Sequence, residues 1–227
     1  MTAHRLNPAD LLRTYSVAEL ERIAEDYHRR SGDGFYIPVD IDLLVEKKEN
    51  VDLDIWPGLQ ANHKLLGMVG INPEDEKKIR IYIDADLADR AEMRNRYRMT
   101  VAEELAHILL HQPAIESVND PGDFNYLQTH PKWYEFERNA KRLAAALLMP
   151  AQYLIEDARK MYSEIIGKLP DQCKYTNSFA VRKTLTSMLA KRYEVSLQSI
   201  EYRLNEWPIQ ILCKIDEAMK NQLPFLG

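Results

Sequence analysis

The chain has little of what secreted, disulfide-stabilised or membrane proteins need. It contains two cysteines, Cys173 and Cys213, which stand too far apart in sequence to form a metal-type pair. It has no N-terminal signal-peptide pattern and no apolar run near the ~18 residues that a membrane helix needs. We therefore expect a protein of the reducing cytoplasm that does not contact a membrane.

An excess of charge of one sign is also missing. The formal net charge is −5, which gives no global reason to expect nucleic-acid binding. The hydrophobic content of 45% and the charged content of 29% are typical of a globular protein. At 227 residues the chain can bury a proper core as one large domain, or as a main domain with a small appendage.

One apolar stretch, RMTVAEELAHILLHQ at residues 98–112, carries four ionisable side chains. Its apolar residues point to several sides at 3.6 residues per turn, which predicts a buried helix. Glu103, His107 and His111 form one column at i, i+4 and i+8, and Glu104 stands beside it. Because a buried unpaired charge is costly, these four groups must pair with each other, bind an ion or border a cleft.

The pattern is one residue away from HExxH, in which two histidines bind zinc and the glutamate is a general base. Glu103 replaces the first histidine. A structural reading also stands, with Glu103 and His107 as an i,i+4 pair and His111 as a core histidine, although the His107 and His111 spacing would also permit a metal site displaced by one turn. Glu104 is either a general base or a carboxylate neutralised by a nearby arginine, of which the chain offers Arg94, Arg96 and Arg98.

Periodicity predicts an α+β fold that is mostly helical with a small three-stranded antiparallel sheet. Ser16 and Glu19 form a capping box that opens a helix to about Arg30. The expected strands lie at 51–56, 65–71 and 79–83, and short helices are expected in the runs 39–49 and 86–97. Pro113 is expected to help end the central helix.

A long polar connection at 113–131 follows the central helix and is a candidate lid or cleft wall. A second amphipathic helix runs from about 132 to 149 and is closed by Pro150. Further helices are expected at 151–162, 178–192, 196–206 and in the tail. Residues 181–207 look like a helix-turn-helix, with five basic and three acidic side chains. A surplus of two positive charges is small for a DNA-binding surface. We therefore interpret this helical pair as a packing or partner-binding element, with DNA contact as the less favoured alternative.

Two segments together carry a resemblance to a known family. RYRMTVAEELAHILLH at 96–111 and AKRLAAALLMP at 140–150 resemble the segments RFTLAHELGHLLLH and EANRFAAELLMP of the ImmA/IrrE metallopeptidases. The likeness extends from about Val17 to Leu204. It implies a zincin-like fold and cytoplasmic proteolysis of a regulatory partner, usually a helix-turn-helix repressor. It also implies a peptidase domain at 1–170 and a C-terminal helical segment packed on it at 171–227.

The resemblance also implies a ligand set, from which this chain departs twice. Glu104 matches the general base and His107 the second histidine, but Glu103 stands where the first histidine belongs. Counting back from the proline puts Asn139 at the third ligand position. Glu137 should face away, because two residues turn about 200° around a helix, whereas Glu135 could reach in from one turn earlier.

These departures weaken zinc binding more than they weaken the fold. An anionic Glu103 makes metal-bound water less acidic, and Asn139 is a weak donor. We hypothesise that zinc is held weakly or not at all, that a Glu103–His107 ion pair takes its place, and that enzymatic activity is impaired or lost. Three functions remain: a peptidase-like module that binds a regulatory partner without cutting it, a working zinc endopeptidase, and a DNA-binding regulator acting through Lys191 and Arg192.

Overall fold

The structure, a computed structural model, describes residues 11, 13–32, 36–75, 78–118, 126–206 and 208–221. It divides into two compact units, the first built from Met1–Gly34 and Asp40–Leu147 and the second from Phe35–Val39 and Leu148–Gly227. The helix at 151–168 therefore groups with the C-terminal helices, whereas the sequence assigned it to the first domain. The division into domains at 1–170 and 171–227 stays a prediction.

The first unit carries the sheet and the central helix. Its elements in chain order are α1 (Val17–Arg30), α2 (Ile41–Glu46), β1 (Val51–Trp56), α3 (Leu59–His63), β2 (Gly67–Ile71), β3 (Ile79–Asp84), α4 (Ala85–Asp89), α5 (Arg94–Ser117) and α6 (Trp133–Leu148). The predicted capping box at α1 is confirmed. The Ser16 hydroxyl accepts from the Glu19 amide at 3.3 Å, and the Glu19 carboxylate accepts from the Ser16 amide at 2.8 Å.

The sheet is mixed rather than wholly antiparallel. The strand order is β1-β3-β2, with β1 parallel to β3 and β2 antiparallel to it. The prediction of an antiparallel sheet was wrong for one of the two strand pairs, because the strands do not lie side by side in chain order. Instead β3 lies between β1 and β2, and the connection that carries the chain from β1 to β2 contains α3, which the periodicity analysis missed. The sheet leaves β2 at one edge, packed against α5.

Helix α5 is buried, as predicted, but it does not end near Pro113. Five of its apolar side chains, those of Val101, Ala102, Leu105, Ala106 and Ile108, are no more than 1% exposed. The helix continues past Pro113 to Ser117. An interior proline removes one N–H from the helical ladder and crowds the carbonyl four residues earlier, but Ala114, which follows Pro113, packs in a core cluster with Leu127 and Phe136. We attribute the additional turn to this packing.

Helix α6 presents the apolar face that the sequence predicted. Ala140, Leu143, Ala144 and Leu147 are fully buried, and Pro150 follows the helix. Burying one such leucine stabilises the fold by about 1.5–3 kcal/mol, so this stripe sets how α6 is rotated. The rotation decides which polar residues of α6 reach the site.

The second unit is helical, with α7 (Ala151–Lys168), α8 (Ser178–Tyr193), α9 (Leu197–Asn205) and α10 (Ile211–Lys220). The predicted pair at 178–192 and 196–206 corresponds to α8 and α9, which are joined by a short turn. The Tyr193 hydroxyl donates to Asp157 at 2.9 Å, and Arg203 donates to the carbonyl of Met149 at 3.1 Å. These contacts hold α9 and the end of α8 within the unit.

The α+β class is confirmed by this arrangement of helices around a three-stranded sheet. Within the described residues, none of the helices meets the length and apolarity that a membrane span requires.

Candidate metal centre

Three potential metal ligands converge where α5 faces α6. Glu103 and His107 lie one turn apart on α5, and Glu137 lies in the second turn of α6. One ligand atom from each of the three side chains lies within 4.8 Å of the other two. His107 Nε2 is 3.6 Å from Glu137 Oε1. The predicted convergence of the two helices on one hollow is therefore present.

The residue that α6 contributes is not one of those we expected. Asn139 and Glu135 were predicted to reach the site and Glu137 to face away, but Glu137 lines the cavity and the other two do not. The angular argument was sound, since residues two apart do point about 200° apart. Its error was the rotation of α6, because Asn139 shares the buried stripe with Leu143, four residues later.

Asn139 and Glu135 occupy other environments. Asn139 is fully buried, and its side-chain Oδ1 and Nδ2 atoms have no hydrogen-bond partner among the described residues. Glu135 forms an ion pair with Arg138, three residues along the same helix. A sequence signal for Glu137 did exist, since it stands four residues before Lys141 and thus shares a helical face with a cation.

Lys141 is the cation of this cluster. Its Nζ atom is 3.7 Å from Glu103 Oε1 and 3.9 Å from Glu137 Oε2. The Glu103–His107 ion pair that we hypothesised is therefore wrong. Glu103 has a lysine partner, and burial, followed by the charge of Lys141, lowers the pKa of His107 to about 4, so the imidazole is neutral near pH 7.

The carboxylates of the cluster resist ionisation. Burial, opposed by Lys141 and reinforced by the charge of Glu137, raises the pKa of Glu103 to about 7. Burial and then the charges of Glu103 and Glu137 raise the pKa of Glu104 well above its usual range. Burial also raises the pKa of Glu137, although Lys141 acts against it. Ionisation of all three carboxyl groups would create more negative charge than one lysine can balance, and their pKa values are raised in part for this reason.

Glu104 lies beside the three ligands and against β2. A Cβ atom added at Gly67 would be 2.6 Å from Glu104 Oε1 and 2.6 Å from Thr100 Cγ2, so only glycine lets the strand approach this closely. Within the described residues no ion pair joins Glu104 to an arginine, so the reading in which an arginine neutralises it is not supported. Its carboxylate is left facing the cavity.

His111 lies one turn beyond His107, in the interior. Its Nδ1 is 3.3 Å from Nδ1 of His107, and its ring stacks on Phe136 with centroids 3.7 Å apart. It is fully buried, and burial, followed by the neighbouring imidazole, lowers its pKa to about 3. The reading of His111 as a core histidine agrees with this position.

A cavity of about 780 Å³ opens onto these groups. Strand β2 from Gly67 to Ile71 forms one wall, and Glu103, Glu104, His107 and Glu137 lie on another. Val118, Leu127 and Gln128 also line it, so the described ends of the 113–131 connection form part of the wall, as predicted. Residues 119–125 of that connection lie outside the described residues.

The donor set fits a divalent metal ion. An imidazole nitrogen and two carboxylates are ligands that zinc and other divalent ions take in proteins. A third carboxylate, that of Glu104, lines the same cavity, and Lys141 carries one positive charge against the three. A divalent cation would neutralise this excess.

The arginines of α8 and α9 contact groups within the second unit. Arg182 pairs with Asp216 at 2.7 Å, Arg192 pairs with Asp157, and Arg203 is 2% exposed. DNA contact through this helical pair stays a prediction, and these contacts do not favour it, because phosphate binding requires accessible cations.

Taken together, a buried helix carrying ExxxH, a second helix supplying a glutamate and a small sheet beside them define a metallopeptidase-like protein. The sequence profile of the family described as IrrE N-terminal-like domain, Peptidase M78, matches residues 80–205. The chain belongs to this family, and its α+β fold is zincin-like. A search of curated proteins finds no match.

Proposed function

We propose that this protein is a metal-dependent endopeptidase with lowered zinc affinity, acting on a regulatory protein. The observation that carries the proposal is the convergence of Glu103, His107 and Glu137 beside Glu104 on one wall of a cavity. It favours enzymatic activity more than the sequence did, because Glu137 supplies the third ligand that Asn139 could not.

Zinc would be held by Glu103, His107 and Glu137. When bound, it supplies a Lewis acid that polarises a peptide carbonyl and makes water more acidic. Glu103 lowers both effects, because a carboxylate brings negative charge where an imidazole would bring none. We therefore expect weaker zinc binding and slower peptide hydrolysis than in a site with histidine at position 103.

Glu104 would act as the general base. Its carboxylate faces the cavity beside the ligands and is seated against Gly67. There it can accept the proton of an attacking water and return it to the leaving amine. Burial and then the charges of Glu103 and Glu137 raise the pKa of Glu104. A bound cation would offset those charges and so favour the ionised carboxylate that accepts the proton.

Strand β2 would orient the substrate. It has β3 as its one strand neighbour within the described residues, and it borders the cavity along its length. An extended peptide can pair with such an edge through main-chain hydrogen bonds. Gly70 leaves open space where a side chain would stand, which gives the peptide room to approach.

Metal analysis tests the ligand set. Protein dialysed against limiting zinc should bind one equivalent weakly, and Glu137→Gln should lose that binding. Glu135→Gln is the matched control, because it makes the same change two residues away at a side chain that pairs with Arg138. Equal zinc content in the two variants would remove Glu137 from the proposed site.

Cleavage tests the role of Glu104. With an unstructured protein such as casein as probe, Glu104→Gln should abolish zinc-dependent cleavage and leave metal content nearly unchanged. A fully active Glu104→Gln variant would refute its assignment as the base.

A second function, binding of a partner without cleavage, is favoured by Lys141. Its ammonium group already contacts two of the three proposed ligands, Glu103 and Glu137, and neutralises part of their charge without a metal. Metal-free protein that binds an extended peptide in this cavity as tightly as zinc-loaded protein would support this function. Stoichiometric zinc in carefully purified protein would count against it.

The nature of the partner rests on the family resemblance. We propose a helix-turn-helix transcriptional repressor, and we expect the encounter to take place in the cytoplasm. Co-purification of the repressor with the Glu104→Gln variant, and its cleavage by the wild type, would support this partner.

A further inference from the structure

His111 is a buried polar residue that the proposed reaction does not use. It does not line the cavity, and it is too deep to meet a substrate. Within the described residues, the hydrogen bond of its ring is the one to His107, with 3.3 Å between the two Nδ1 atoms. This contact therefore acts on His107.

Aromatic neighbours hold the ring of His111 in place. Phe136 stacks on it with centroids 3.7 Å apart and planes 20° apart. Tyr15 meets its edge at 6.2 Å and donates its hydroxyl to the carbonyl of Leu110 at 2.8 Å. The stack fixes the plane of the imidazole, and the 3.3 Å contact with His107 favours the orientation in which Nδ1 rather than Cδ2 faces that residue.

The contact between two ring nitrogens requires one donor and one acceptor. A neutral imidazole has one N–H and one bare nitrogen, so the proton between the rings belongs to one residue and the lone pair to the other. His107 can ligate a metal at Nε2 only if that nitrogen is bare, which places its proton on Nδ1. His111 must then accept at its own Nδ1 and carry its proton on Nε2.

We propose that His111 is the positioning residue of His107. By accepting the hydrogen bond from His107 Nδ1, it selects the tautomer whose bare Nε2 faces Glu137 and Glu103. The inference rests on the proposed metal centre and adds to it a residue that binds neither metal nor substrate. Outer-shell partners of this kind are usually carboxylates or carbonyls, and they fix both tautomer and ring orientation.

Within the part of the chain that the structure describes, this tautomer of His111 leaves one buried N–H group without an acceptor. His111 Nε2 is buried with no hydrogen-bond partner among the described residues, so the proton that this tautomer places there is not satisfied. An imidazole is therefore a poorer support for the ligand than a carbonyl in the same place. An acceptor that brings no such proton should serve as well or better.

Two substitutions at position 111 separate hydrogen bonding from packing. His111→Phe keeps a ring against Phe136 but has no acceptor, whereas His111→Asn places a carbonyl oxygen near the position of Nδ1. We expect zinc affinity, measured by competition with a chromophoric chelator, to fall by about 10- to 100-fold in His111→Phe. His111→Asn should bind zinc at least as tightly as the wild type.

Nitrogen-15 spectra of the imidazoles in zinc-loaded wild-type protein give a readout that needs no variant. The expected result is a proton on Nδ1 of His107 and on Nε2 of His111. A proton on Nδ1 of His111, or wild-type affinity in His111→Phe, would overturn the inference while leaving the metal centre intact. Zinc binding by His107→Ala equal to that of the wild type would instead overturn the metal centre, and this inference with it.

Discussion

The ionisable groups of the two units are balanced in opposite ways. In the second unit, Arg192 and Tyr193 share the carboxylate of Asp157, and Arg182 pairs with Asp216. In the first unit, three glutamates and a neutral histidine border one cavity with a single lysine between two of them. In the second unit these carboxylates have partners of opposite charge within the protein. In the first unit the glutamates outnumber the cations that contact them among the described residues.

This difference distinguishes polar groups that stabilise the fold from polar groups that can bind a ligand. A paired group stabilises the fold, whereas the cluster of Glu103, Glu104 and Glu137 holds carboxylates whose pKa values are raised by burial and by neighbouring charge. Such a cluster is a poor way to stabilise a protein and a good way to bind a cation. The comparison predicts that substitutions will have opposite effects in the two places.

The largest effect should come from Glu103→His, which completes the HExxH pattern. It removes one anion from the cluster and supplies a neutral imidazole, so zinc affinity should rise by about 100-fold, or about 2.7 kcal/mol. Isothermal titration of zinc measures this. The paired groups offer the contrast, because Asp216→His in the second unit should leave zinc affinity unchanged. Unchanged affinity in Glu103→His would mean that position 103 is not a ligand.

Removing a balanced carboxylate should destabilise the protein. Asp157→Ala takes away the group that both Arg192 and Tyr193 contact, and it should lower the free energy of unfolding by about 2 kcal/mol. Urea denaturation checks the value. The control is Asp171→Ala, which removes an exposed pair with Lys174 and should have no measurable effect. Equal losses in the two variants would show that Asp157 is not part of the unit's internal structure.

The close seat of Glu104 can be tested through the two glycines of β2. Gly67→Ala puts a methyl group within 2.6 Å of the Glu104 carboxylate and should destabilise the protein by about 1.5 kcal/mol. Gly70→Ala is the matched control, because its added Cβ meets nothing within 4 Å. If thermal unfolding ranks the two variants equally, β2 does not press on Glu104 as described.

The smallest effect is a pH dependence in metal-free protein. Glu103 has a folded-state pKa of about 7, above its ordinary value of 4.5, so the unfolded chain loses this proton first and stability falls as pH rises across that interval. Glu103→Gln should therefore become more stable relative to the wild type as the pH rises from about 5 to about 8.

The measurement is made with a chelator present, so that the protein is metal-free, and the stability of Glu103→Gln is compared with that of the wild type at each pH. His107 and His111, with lowered pKa values, act in the opposite direction below about pH 6.5, but they are present in both proteins. Lys141 and Glu137, which also face Glu103, remain as well. If the difference in stability between the wild type and Glu103→Gln does not change with pH, the pKa of Glu103 is not raised in the folded protein.

Much of the candidate site could be predicted because it is local. Glu103, Glu104, His107 and His111 lie on one helix whose apolar residues leave no exposed side, so their spacing and burial both follow from the 3.6-residue period. The capping box at Ser16 and the apolar stripe of α6 are local in the same sense. The family resemblance added the roles, but it placed the third ligand at Asn139.

The errors concern interactions between elements. Pro113 is a strong local signal for the end of a helix, yet packing of Ala114 with Leu127 and Phe136 outweighs it. Glu137 and Asn139 point in nearly opposite directions on α6, and the pairing of Glu137 with Lys141 four residues later is only a weak local signal for which of the two faces α5. The parallel pairing of β1 with β3 likewise depends on a strand that comes later in the chain.

The sequence by itself determined most of the elements, the buried ionisable column of α5 and the membership of a metallopeptidase-like family, because each depends on residues close together in the chain. The tertiary structure alone decided that Glu137 joins Glu103 and His107, that Lys141 lies between the carboxylates, and that β2 borders the cavity. Burial of Leu143 and its neighbours fixes the rotation of α6, and that burial is a property of the whole core rather than of any one segment.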